Sequence, residues 1–109
     1  MITAVIYKNS EEDILGFRIS GHAGYDRYGR DIICAAVSAL SINTINSIEK
    51  FTTDRFAAEQ SDGDLKFKLV TDKAPETQLL LKSFVLGLES VIETYGDKYI
   101  RIIIRTREV

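Results

Sequence analysis

The stretch Asp31–Phe51, DIICAAVSALSINTINSIEKF, decides how the rest of the chain is read. Ile33, Val37, Leu40, Thr44, Ile48 and Phe51 recur at intervals of three and four residues, which lines them up on one face of a helix. Asp31 suits the N-cap position, so the spacing predicts a helix from about Ile32 to Lys50. The flanks read differently. Ile2–Lys8 alternates and is rich in β-branched residues, Asn9–Asp13 is a polar turn, and Ile14–Ser20 alternates again with Leu15, Phe17 and Ile19 on one face. Together they predict a hairpin. Beyond the helix, Phe56–Gln60 and Leu65–Lys68 flank Ser61-Asp62-Gly63, a second hairpin with suitable turn chemistry. From Pro75, Leu81, Phe84, Val85, Leu88, Val91, Ile92 and Tyr95 form a second amphipathic helix, opened by the proline and closed by Gly96. Tyr99–Arg105 alternates as a last strand, with Ile100, Ile102 and Ile104 on the same side.

The order is therefore ββαββαβ. Strands whose inner faces need cover, and two helices able to supply it, predict an α+β fold: a two-layer sandwich with a five-stranded sheet covered by two helices. At 109 residues, with no linker or repeat, the chain makes a single domain. Ile32, Ala35, Ala36, Ala39 and Ile42 lie off the main face of the first helix. Two readings fit them: a core covered on several sides, or a homodimer interface.

Composition narrows the function. Apolar residues make up 45% of the chain and charged ones 28%, ordinary for a folded domain. Fourteen Lys and Arg against sixteen Asp and Glu leave −2, so no basic surplus announces a phosphate-backbone binder, and nucleic acid is not an expected partner. The longest uninterrupted apolar run, Ile32–Val37, is far below the roughly 20 residues of a membrane span. The N-terminus lacks the pattern of a secretory signal, and one unpaired thiol suits a reducing interior. The expectation is a cytoplasmic protein away from membranes.

The single His, His22, and the single Cys, Cys34, carry the chemistry. One Cys forbids an internal disulfide and any multi-thiolate zinc site, and one His forbids a two-imidazole site, so neither metal nor cofactor is expected. His22 follows a strand directly. It belongs to Gly21–Gly29, a glycine-rich segment read as a mobile loop that also contains Gly24, Tyr25 and Tyr28 and precedes Cys34. With Asp31 as N-cap, Cys34 occupies the third helical position, where the helix dipole favours a thiolate. An imidazole nearby would complete a Cys–His pair. The plainer reading, a small apolar residue packed among Ile32, Ile33, Ala35 and Ala36, stands beside it. Ser38, one turn after Cys34, shares its helix face and is either a helix-packing residue or part of a site. Asp31 is either a cap or a carboxylate orienting His22.

Gly21-His22-Ala23-Gly24-Tyr25 followed by Gly29-Arg30-Asp31-Ile32-Ile33-Cys34-Ala35-Ala36-Val37-Ser38 resembles the signature of the ribosomal-processing cysteine protease family, Prp. The resemblance implies a small cytoplasmic bacterial endopeptidase, homodimeric, that removes a short N-terminal extension from a large-subunit ribosomal protein, cutting after a pair of aromatic residues. It implies His22 as general base and Cys34 as nucleophile, with Gly21 and Asp31 shaping the site. On that reading the backbone N–H groups around Ile33–Ala35 are candidate oxyanion donors, and Gly24–Gly29 is a lid whose Tyr25 and Tyr28 either pack on the substrate or are simply exposed loop residues. The alternative from another class is a non-catalytic ribosome-assembly factor binding a ribosomal protein or rRNA, with Arg27 and Arg30 meeting phosphate. A redox-sensing thiol would want a resolving Cys, which this chain lacks.

Overall fold

A computed structural model describes residues 1–21, 27–70 and 73–107, with the backbone alone for 27–31. The elements are β1 (Ile2–Lys8), β2 (Ile14–Gly21), α1 (Arg27–Phe51), β3 (Phe56–Ser61), β4 (Asp64–Leu69), α2 (Pro75–Tyr95) and β5 (Ile100–Thr106). The strands make one mixed sheet in the order β3-β4-β2-β1-β5. β5 lies parallel to β1, and the other neighbours are antiparallel. The expected element order and two-layer architecture are those of the molecule.

One face of the sheet is the core. Ile2, Ala4 and Ile6 of β1 align with Ile19 and Phe17 of β2, Leu65 and Phe67 of β4, and Ile100 of β5. Both helices lie over this face and pack against each other. Phe17 sits at its centre, stacked on Phe67 at 5.1 Å between centroids and tilted against Phe84 of α2 at 4.5 Å. Such pairs add geometry-specific attraction to burial.

The β1–β2 hairpin departs from simple alternation. Its turn is closed by Asn9, whose Oδ1 accepts from the N–H groups of Glu11 and Asp13. Tyr7 then pairs with Gly16 but Lys8 with Ile14, so one residue of β2 is left over. This bulge corrects the expectation for Leu15. Ile14 takes the buried place, and Leu15 lies in a groove with Tyr7, Arg18 and Lys66 on the opposite side of the sheet. Gln78 of α2 secures the irregular backbone: its Oε1 accepts from the Ile14 N–H at 2.8 Å and its Nε2 donates to the Ile14 carbonyl at 2.9 Å. A buried neutral amide thus satisfies both groups of one peptide.

The helices met expectation unequally. α2 starts at Pro75 and ends before Gly96, whose N–H closes the last turn on the Ile92 carbonyl. α1 keeps its inward stripe, with Ile33, Val37, Ile45 and Ile48 buried, while Phe51 is exposed. By length and composition, Ile32–Phe51 matches a membrane span, a match that counting uninterrupted apolar runs does not detect. Here that apolar content supplies the core stripe plus Ile32, Ala35, Ala39 and Ile42 on the outside.

α1 also begins earlier than its sequence suggests. It starts at Arg27, so Asp31 is not its N-cap, Gly29 is helical, and Cys34 lies about two turns inside. The N–H groups of Ile33–Ala35 are consequently engaged within the helix, because only the first four are free. They are not oxyanion donors, and the dipole advantage expected for Cys34 is lost, since it fades beyond the first turn.

Candidate active site

Cys34 is half-buried, and its thiol is free. It lines a cleft of about 210 Å³ that opens where α1 crosses the ends of β1, β2 and the β3–β4 hairpin. Gly21, Ser38, Ser41, Gln60 and Asp64 share that cleft, above an apolar floor of Ile2, Ile19, Val37 and Leu65. The placement follows from helix geometry. Ile33 and Val37 turn into the core, and the adjacent row, Cys34, Ser38 and Ser41, faces the cleft beside them. Three residues singled out from the sequence, Gly21, Cys34 and Ser38, are therefore brought together.

Gly21 is at this place for two physical reasons. It ends β2 with φ at +91°, a region open to glycine but strained for other residues. A Cβ there would also meet the Met1 carbonyl oxygen at 2.5 Å. Its N–H donates to the Gly63 carbonyl at 3.0 Å, which ties the end of β2 to the turn of the outer hairpin. That turn, Asp62-Gly63, has Gly63 at φ +72°, a left-handed conformation that glycine adopts without steric cost.

The outer hairpin's contribution to the cleft was not legible in the sequence. Gln60, Gly63, Asp64 and Leu65 come from it. Long-range pairing of β4 with β2 in the register Ser20↔Asp64 brings them there, and no local pattern encodes that register. Asp64 is fixed by Arg18, whose Nε and Nη2 donate to its two carboxylate oxygens, each at 3.0 Å. This two-pronged bond holds the Asp64 carboxyl below its ordinary range and pushes the Arg18 guanidinium up. Ser41 Oγ donates to the Val37 carbonyl at 2.7 Å, so its proton is committed to its own helix. Ser38 and the Gln60 amide supply further hydrogen-bonding groups to the cleft.

His22, Gly24 and Tyr25 lie outside the described residues, as do the side chains of Tyr28 and Asp31. The lid reading of Gly24–Gly29 falls there in part, although the chain from Arg27 onward is helical. Among the described residues no group of three or more His, Cys, Asp or Glu side chains is arranged to hold a metal ion.

Comparison with known proteins converges on one family. The family model described as cysteine protease Prp matches residues 1–101. The ribosomal processing cysteine protease Prp of Staphylococcus aureus is 31% identical over 99 residues, covering 89% of this chain and 93% of its own. The protein of the same name from Bacillus subtilis is 27% identical over 103 residues, covering 89% and 92%. Among solved structures, S. aureus Prp with a covalently linked product peptide superposes with a TM-score of 0.87 at 31% identity, over 96% of this chain and 100% of that one. A second S. aureus structure, in complex with a substrate peptide, gives a TM-score of 0.87 at 30% identity and the same coverage.

Proposed function

The chain belongs to the cysteine protease Prp family and is a cysteine protease; from that premise we propose that it removes a short N-terminal extension from a large-subunit ribosomal protein during ribosome assembly. Its relatives are named for ribosomal processing, and one holds a product peptide in covalent linkage, as expected of acyl-enzyme chemistry. In this reading Cys34 is the nucleophile and His22 the general base.

The observation that carries the reading is that Gly21 and Cys34 line one cleft. His22 follows Gly21 directly in the sequence, next to a residue that lines the cleft holding the thiol. His22 takes the Sγ proton, and the thiolate adds to the scissile carbonyl. Collapse of that adduct breaks the C–N bond as His22 returns the proton to the leaving amine. His22 then deprotonates a water, which cleaves the thioester and frees the enzyme. With Cys34 two turns inside α1, activation rests on the imidazole rather than on the helix dipole.

Gly24, Tyr25 and Gly29 are assigned to substrate binding and Asp31 and Ser38 to shaping the site, on the family signature, and Tyr28 to substrate binding as the second tyrosine of that segment. The outward apolar row of α1, Ile32, Ala35, Ala39 and Ile42, is offered as the contact with a second copy of the chain. The cytoplasm, reducing and rich in assembling ribosomes, is the proposed compartment.

The test is a peptide spanning the junction of the extension, followed by mass spectrometry. Cys34→Ala and His22→Ala each abolish cleavage while the circular dichroism spectrum is unchanged. Product formation by either variant overturns the dyad.

A further inference from the structure

The chain's overall charge of −2 conceals a segregation. Among the described residues no helix covers the second face of the sheet, and the strand register sets its residues in rows. One row runs Arg105, Tyr7, Gly16, Lys68, and the next runs Ile103, Val5, Arg18, Lys66, Glu59. Arg101 and Asp64 belong to a third, and Arg107 continues β5 beside Lys8. Among the described residues, six of the 14 Lys and Arg but only two of the 16 Asp and Glu stand on this face. Asp64 is consumed by Arg18, and Glu59 lies across from Lys66. Among the described residues, Lys68, Arg105 and Arg107 have no acidic residue opposite them in the rows.

These cations flank a floor of different character. Arg107 lies over the Tyr7 ring at 4.0 Å, and Tyr7 continues into a groove of about 450 Å³ with Leu15 and Gly16. Gly16 leaves that groove without a side chain at its place in the strand, where a Cβ would strike the Phe67 carbonyl oxygen. Lys68 and Arg105 stand three strand intervals apart, about 14 Å, so they form two rails on either side of Tyr7.

We propose that this open sheet face binds single-stranded RNA, with Lys66, Lys68, Arg105 and Arg107 on phosphates and the Tyr7–Arg107 pair as a platform for a base. Cationic rails around an aromatic floor are what a sequence-tolerant single-strand site needs. The flatness of the face selects against duplex, since nothing protrudes to enter a groove and the bases must come to the sheet. A lipid surface is disfavoured because, among the described residues of this face, Val5 is buried and Leu15 and Ile103 are half-buried, leaving no fully exposed apolar side chain to insert. The inference rests on the proposed ribosomal substrate only for the source of the RNA. The surface is far from needing Cys34.

The test is fluorescence anisotropy with a labelled oligouridine of about 12 nucleotides. Binding is expected to weaken about 30-fold between 50 and 200 mM salt, as roughly three to four neutralised phosphates dictate. Lys66→Gln/Lys68→Gln, at exposed positions, weakens binding about 10-fold and flattens the salt dependence. Tyr7→Leu weakens it about 5-fold or more with the salt dependence intact. Measuring Cys34→Ala in parallel separates the two readings: its RNA binding is unchanged, whatever its effect on cleavage. The proposal is overturned by an absence of binding at 50 mM salt, by wild-type affinity in Lys66→Gln/Lys68→Gln, or by polyglutamate or phosphatidylserine vesicles competing as well as unlabelled oligouridine.

Discussion

α1 and α2 lie on the same sheet face and pack against each other, yet they do different work. α2 is structural along its length. Leu81, Phe84 and Leu88 are buried, Gln78 is bonded to the Ile14 peptide, and proline and glycine mark its ends. α1 is held by an equally buried stripe, but the row beside that stripe, Cys34, Ser38 and Ser41, opens on a cleft. The difference shows how a small fold combines stability with a reactive group. The stripe fixes the helix to the sheet, so a neighbouring residue can be both positioned and accessible. Stability and activity should therefore separate by row.

Paired variants test that separation with the largest expected effect. Phe84→Ala removes the ring that meets Phe17 and should cost about 3–5 kcal/mol in urea unfolding, because the surrounding core closes only partly over the cavity. Cys34→Ala, already expected to abolish cleavage, should shift the unfolding midpoint far less, since the thiol faces a cleft. A comparable loss of stability in both would show that Cys34 is a core residue and that the two rows are not independent.

The seam between the helices offers a smaller effect. Gly87 of α2 faces Leu40 of α1, and a Cβ at Gly87 would come within 2.8 Å of Leu40 Cδ2. Alanine favours the helix by about 1 kcal/mol over glycine. The atoms in the way belong to the end of a rotatable side chain, so Leu40 can give. Gly87→Ala is expected to stay within about 1 kcal/mol of wild type, whereas Gly87→Val, with two further carbons in the same space, should destabilise by about 1–3 kcal/mol. If Gly87→Val proves neutral in urea unfolding, the helices are not in close contact at this point.

The same contrast explains what could be read in advance. α2 was legible from Pro75 to Gly96 because local chemistry sets both ends. The start of α1 was not: Asp31 resembles a cap, but the helix continues back through Gly29 to Arg27, overriding the low helix propensity of glycine. Strand alternation gave β1 and β5, and failed at Leu15, where a bulge shifts the phase by one residue. Of the site, Gly21, Cys34 and Ser38 were visible as a motif. Gln60, Gly63 and Asp64 were hidden, because they reach the cleft through the β2–β4 register, a contact between distant parts of the chain.

Acid should distinguish the open face of the sheet from the α2 side, with the smallest effect of all. On the open face, at the sheet end that borders the cleft, the tie is ionic: Arg18 holds the Asp64 carboxyl below its ordinary range. A carboxyl lowered in the folded state contributes stability that is present above its unfolded pKa and lost as pH falls through the lowered folded value. Under α2, Gln78 and Ile14 share two neutral hydrogen bonds that do not titrate. Asp13, lowered by Lys73 just before α2, is a second ionic contribution that acid removes. Asp64→Asn should therefore lower the urea midpoint slightly at pH 7 and reduce, without abolishing, the loss of stability on acidification. The residual slope should include the Asp13 contribution and shrink again in Asp13→Asn/Asp64→Asn. Both groups are solvent-accessible, so salt should weaken the effect as well. An acid limb that is unchanged in Asp64→Asn would mean that the Arg18 pair does not stabilise this end of the sheet, and that the β2–β4 backbone ladder alone holds Asp64 in register with Ser20.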